Sequence, residues 1–148
     1  LESLDLKTNS KKLAITRDGE QTGVLTFDPS DVVFAEKFYN LIAEFQAKGK
    51  EYEPRAMALD GNTATDANGL PVNFGEKIAL LREVCEYIRA RIDHLFGMGT
   101  SQAAFGDVYD TDLIVQFFDK LKPFFQSART AKIEKYTTLA SAKRNKRK

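Results

Sequence analysis

His94 is the sole histidine of this chain and Cys85 its sole cysteine. Nine residues separate them, and at about 100 degrees per residue a helix carrying both sets them on opposite sides. A cysteine–histidine dyad within one subunit is excluded if that helix is continuous. A serine nucleophile would have to use His94 as its base, and nothing around Ser101, Ser127 or Ser141 resembles the strand-to-helix elbow that exposes a catalytic serine. Zinc would need two distant carboxylates besides His94 and Cys85. Glu83 and Glu86, and Asp110 and Asp112, read as surface and capping acids. The sequence reading is therefore of a protein with no catalytic residues, no metal site and no cofactor, and not an enzyme.

Two further motifs invite chemistry and do not sustain it. The run DGNTATDANG suggests a calcium loop, but counting twelve positions from Asp60 ends on Pro71, and counting from Asp66 ends on Lys77. Neither provides the bidentate glutamate of an EF-hand. Around Gly97 and Gly99 the chain continues Thr100, Ser101, Gln102, where a phosphate loop would need glycine, lysine and a hydroxyl residue.

With catalysis set aside, size and charge frame what remains. A chain of 148 residues is one domain's worth. No apolar run approaches a membrane span, and LESLDLKTNSKK lacks the order of a secretory signal, so the reading is cytoplasmic and without membrane contact. The formal net charge of +1 hides an asymmetry, because Lys143, Arg144, Lys146, Arg147 and Lys148 crowd the last twelve residues. Removing these five from the 22 basic groups leaves 17 against 21 acidic groups, a body of −4. A basic tail on an acidic body allows phosphate contacts with a steep salt dependence. The body, however, carries no recognition-helix, zinc-finger or stacking motif, which disfavours nucleic acid.

The elements that would position partner-binding groups are mostly helical. Leu13 and Ile15, then Leu25 and Phe27, alternate as in a β-hairpin over about 12–28. For both pairs to share a face the connection must hold an odd number of residues, so a loop of three or five is expected and a bare Asp18-Gly19 turn is not. Ser30 or Asp28 can cap a helix over about 31–48, with Gly49 after its last turn and an irregular loop over about 50–73. Asn73 and Glu76 suggest a capping box for a second helix over 74–96. Along it Ile78, Leu81, Cys85, Ile88, Ile92 and Leu95 form a stripe, widened by Leu80 and Val84, that implies burial along its whole length. Gly97, in the left-handed region, and Gly99 turn the chain into a short helix around Gln102 to Phe105, capped by Thr100 or Ser101. A third long helix over 112–136, capped by Asp110 or Thr111, should kink or break at Pro123. The expected fold is mainly α. It is one domain over 1–136 with three long helices in a small bundle, an N-terminal hairpin and a flexible basic tail over 137–148.

Phe117, Phe118, Phe124 and Phe125 occupy two adjacent pairs on the third helix. In so small a bundle part of that aromatic surface is expected to point outward, as a helix-in-groove contact for a partner.

Three stretches together resemble a known family: DANGLPVNFGEKIALL (66–81), CEYIRARIDHLFGMGTSQAAFGD (85–107) and FFDKLKPFFQSARTAKIEKYT (117–137). They are similar to the tail assembly chaperones of long-tailed bacteriophages that infect Gram-positive bacteria, and the corner of Gly97, Gly99, Thr100, Ser101 and Gly106 is the most specific part. That resemblance implies a chaperone that works in the cytoplasm of the infected host. It implies coating of the tape measure protein, recruitment of tail tube subunits and absence from the finished virion. A homo-oligomer stays open. The competing readings are nucleic-acid binding by the basic tail, and a structural tail or connector subunit that extends a neighbour's sheet through its hairpin.

Overall fold

The computed structural model describes residues 1–127. The basic tail, with Lys143, Arg144, Lys146, Arg147 and Lys148, lies outside the described residues, as do positions 128–136 of the expected third helix.

Strands β1 (Lys11–Arg17) and β2 (Glu20–Phe27) form an antiparallel hairpin closed by Asp18 and Gly19 alone. Both turn residues have positive φ, 54° and 85°, the geometry of a two-residue turn that follows the strand twist. The expected three- or five-residue loop is absent. The parity argument behind it nonetheless survives, because the odd residue sits within β2. Ile15 pairs with Gly23 and Thr16 with Gln21, which leaves Thr22 as a bulge. The bulge brings Leu13 opposite Leu25 and returns Leu13, Ile15, Leu25 and Phe27 to one face.

Helix α1 (Val32–Asp60) starts on Asp31, whose carboxylate accepts from Val33 N at 3.0 Å. Neither Ser30 nor Asp28 is the cap. The Asp28 carboxylate instead accepts from Ser30 N in the preceding turn. This helix runs a full twelve residues past the expected end at 48, through Gly49 and Pro54. A glycine in a helix interior costs only about 1 kcal/mol relative to alanine, and Pro54 removes one bond, the one to the Lys50 carbonyl. Packing outweighs both: Tyr52, Ala56 and Leu59 are half-buried on the side facing the next helix. The irregular loop is accordingly confined to 61–73. There the Asp66 carboxylate accepts from Asn68 N and Leu70 N, at 2.8 and 3.1 Å, as a turn former.

Helix α2 (Phe74–Phe96) has the expected bounds. Its Asn73 makes no capping bond, however. The side-chain Nδ2 donates to the Leu59 carbonyl at 2.6 Å and ties the ends of α1 and α2 together. Asn73 thus serves as a strap between helices, which replaces the expected capping box. Glu44 with Arg91, Arg55 with Glu83 and Asp60 with Lys77 pair across the two helices. Positions that rise along α1 fall along α2, so the two are antiparallel. These exposed pairs mark the register and add little stability.

Helix α3 (Thr100–Phe105) leads to α4, helical from 111 to 127, the last described residue. Asp110 caps α4 by accepting from Asp112 N at 2.9 Å. Helical structure passes through Pro123 without the expected break. One core joins the elements: Leu25 and Phe27 from β2, Phe38 and Leu41 from α1, Cys85 and Ile92 from α2, Phe105 from α3, and Ile114, Phe118, Leu121 and Phe125 from α4. Phe38 and Phe125 stack with ring centres 4.1 Å apart. Among the described residues no helix is long and apolar enough to cross a membrane.

Candidate functional site

The corner between α2 and α3 is built differently from the sequence expectation. Gly97 has φ 115° and ψ 148°, an extended conformation beyond the left-handed helical region and open essentially to glycine alone. Gly99, at φ 91° and ψ −9°, is the left-handed residue. The side chains of Thr100 and Ser101 do not cap α3. Asp93, on the last turn but one of α2, reaches across the corner: it accepts from Ser101 N at 2.8 Å and from the Ser101 hydroxyl at 2.9 Å. A carboxylate at the positive end of α3 from outside its own chain segment does the same electrostatic work as a cap.

This corner locks α3 onto the hairpin. Arg17 Nη1 donates to the Ala103 carbonyl at 3.2 Å, and the Thr22 hydroxyl, on the bulge, donates to the same oxygen. A Cβ on Gly23 would lie 2.7 Å from that of Ala103, and one on Gly106 would meet the Arg17 guanidinium at 2.8 Å. Close approach therefore requires glycine at 23, whereas at 106 the guanidinium is the movable end of a long side chain and the positive φ of 60° is what favours glycine. The five corner residues of the sequence reading lie within this turn and its lock onto the hairpin.

Part of the surface of four phenylalanines was expected to point outward, and most of it is turned inward. Phe118 and Phe125 are buried, Phe117 and Phe124 are half-buried against the core. Phe117 meets Phe96 edge-on at 5.6 Å and Phe105 at 5.7 Å, while Phe124 meets Phe27 at 6.1 Å. The core is wide enough to absorb adjacent pairs because the hairpin lies on one side of α4 and α1 on the other. Ten of the eleven phenylalanines are buried or half-buried in this way, and the exception is Phe74.

Phe74 marks the surface that the sequence reading missed. Ile78 and Leu81 follow it on the first turns of α2, at 48% and 53% exposure, although the stripe they begin was expected to be covered along its length. The stripe does enter the core from Cys85 onward. Before that point Leu80 is buried and Val84 half-buried, one residue or more around the helix, while Ile78 and Leu81 stay bare. The alternation of three and four alone could not reveal which half of a two-sided stripe its neighbour takes.

Beside this stripe lies the connection from α3 to α4. Arg89 on α2 holds it by donating to the carbonyls of Gly106 at 2.7 Å and Val108 at 3.4 Å and to Gln102 Oε1 at 3.1 Å. The Tyr109 ring then sits under two guanidiniums, Arg89 at 4.9 Å and Arg82 at 5.5 Å. Ile78, Leu81, Arg82, Arg89 and Tyr109 border one shallow concavity of about 520 Å³. Apolar floor, tyrosine and arginine edge are the residue types that dominate protein–protein contacts.

Cys85 and His94 lie on one continuous helix, the first buried and the second exposed, and are not brought together. Burial pushes the Cys85 thiol up, with the Asp110 carboxylate adding to the effect, which keeps it protonated and unreactive. Among the described residues no group of three or more histidine, cysteine, aspartate or glutamate side chains is placed to hold a metal ion.

What the fold and this surface define is a mainly helical protein with an N-terminal hairpin and an exposed apolar row on α2. The chain belongs to DUF6673, a family of unknown function, whose model matches residues 21–148. No curated protein and no solved structure matches it.

Proposed function

We propose that this protein is a non-enzymatic tail assembly chaperone of the kind its motifs resemble. In that reading it binds the apolar, helical tape measure protein in the cytoplasm of an infected bacterium, helps recruit tail tube subunits and stays out of the mature virion. The reading is carried by one observation: Phe74, Ile78 and Leu81 are left bare on α2, in a molecule that packs its other ten phenylalanines inward. A helical client with its own apolar stripe would cover that row by helix-in-groove packing. The corner residues act at one remove, by fixing the connection that carries Tyr109. The partner contact is thereby assigned to α2, and Phe117, Phe118, Phe124 and Phe125 are assigned to the core that supports it.

Co-expression with the tape measure protein tests the proposal. The unmodified chain should keep that client soluble and co-purify with it. The double variant Ile78→Glu, Leu81→Glu should lower the recovered complex at least tenfold, since central apolar anchors carry most of an interface's affinity, while its melting temperature stays within a few degrees. Equal recovery with the double variant, or a client that is insoluble with either chain, would refute the proposed contact.

A further inference from the structure

Asn73 stands between two helix ends, and each end lacks what one half of its amide supplies. The last carbonyls of α1 need donors, and the first amides of α2 need acceptors. Asn73 Nδ2 meets the first need, at the Leu59 carbonyl. Its Oδ1 meets nothing: the atom is buried without a hydrogen-bond partner, on a residue only 8% exposed. Exchanging the two ends of the amide would set oxygen against oxygen at Leu59, so the orientation is fixed. A dry, unpaired oxygen of this kind is rare in a folded protein and costly to keep. Close by, the amides of Gly75 and Glu76 meet no acceptor among the described residues. Those are the positions that an N-cap side chain serves.

Backbone torsion decides which helix the amide serves. Asp31, at the start of α1, is extended at φ −70° and ψ 112°, and its carboxylate caps. Asn73, at φ −101° and ψ 22°, is not extended and does not cap. Turning its ψ into the extended range would carry Oδ1 to the first turn of α2 and take Nδ2 away from Leu59. The same rotation redirects the loop that enters α2. Val72 and Asn73 of that loop line a cleft of about 910 Å³ with Leu59 of α1 and Leu80 of α2, so the rotation alters its width.

We infer that Asn73 is a two-position latch: in one state it ties α2 to the end of α1, and in the other it caps α2, frees the last turn of α1 and opens the cleft onto Leu80. The two states exclude each other because they need different torsions at one residue. This inference needs no client and stands apart from the chaperone reading. Relaxation-dispersion NMR of the full chain should show exchange at Gly61, Asn62, Gly75 and Glu76 with one shared rate. The first two close α1, their amides donating to the Met57 and Leu59 carbonyls at 3.0 and 3.3 Å. Asn73→Asp keeps the acceptor, loses the donor and strengthens the cap, so it should populate the second state. Hydrogen exchange at Glu76 should then slow roughly fivefold, the effect of one cap, while that at Gly61 and Asn62 quickens. The shifts of this variant at the four amides should match those of the minor state in the unmodified chain. Asn73→Ala, which serves neither helix, should quicken Gly61 and Asn62 without slowing Glu76. Absence of exchange in the unmodified protein would overturn the inference, as would unequal rates at the two helix ends or Asn73→Asp shifts unlike those of the minor state. So would a crystal structure with an ordered water on Asn73 Oδ1, which leaves nothing to drive the change.

Discussion

At the scale of single residues, Gly97 is where conformation matters most. With φ at 115° and ψ at 148° it occupies a region that side chains with a Cβ avoid, and the space around it is open. Gly97→Ala therefore meets strain without a clash, and should destabilise the fold by about 1–3 kcal/mol, as read by urea denaturation. An alanine tolerated without loss would mean that the corner relaxes. The need for glycine here was legible in the sequence, because two glycines between two helical patterns have few other uses. The particular conformations were not, and neither was the cap of α3. Asp93 is eight residues before Ser101, and a carboxylate that reaches across a corner leaves no local spacing to read. Asn73 shows the reverse: the motif was present, but a nearby carbonyl at Leu59 competed for the side chain and won.

At the scale of elements, the pairing of α1 with α2 carries a titrating group. Burial pushes the Glu44 carboxyl up, and the hydrogen bonds from Arg91 and Tyr87 more than offset it, so it sits below the ordinary value of 4.5. A folded value below the unfolded one means stability that is present above pH 4.5 and lost as the pH falls through the depressed folded value. Glu44→Gln should thus lower the melting temperature slightly at pH 7, by the equivalent of less than about 1 kcal/mol for so exposed a pair. The gap should narrow as the pH falls below 4.5, and a gap that widened in acid would contradict the assignment. The bounds of α2 were readable from periodicity, whereas the end of α1 was not. Gly49 and Pro54 are local stop signals, and what overrides them is the packing of Tyr52, Ala56 and Leu59 on a helix that begins more than ten residues later. In the hairpin, side-chain parity was the sound part of the reading, and the bulge at Thr22 satisfies it by a route that counting turn residues does not anticipate.

Across the whole molecule, the core and the exposed apolar face of α2 divide unequally. The core was legible because the apolar residues of four elements repeat at helical or strand spacing. The face was not, since Ile78 and Leu81 repeat at the same spacing as Cys85 and Ile92 and differ only in what lies opposite. The twelve residues of α1 beyond Lys48 and the first turns of α2 form a two-helix projection, with Leu80 its buried apolar residue and Pro54 a gap in its backbone bonding. That projection and the body should run on separate clocks. In heavy water the amides of 55–60 and 75–80 should exchange by local opening well before those of 38–45 and 88–95, whose release requires global unfolding. Mass spectrometry of peptides sampled over time would show two classes of rate, and a uniform rate would mean that the tip is as cooperative as the centre. Under the chaperone reading proposed above, a tip that opens while its base stays shut would mould itself to clients of differing shape, at a cost in entropy that falls on ten or so residues and spares the rest.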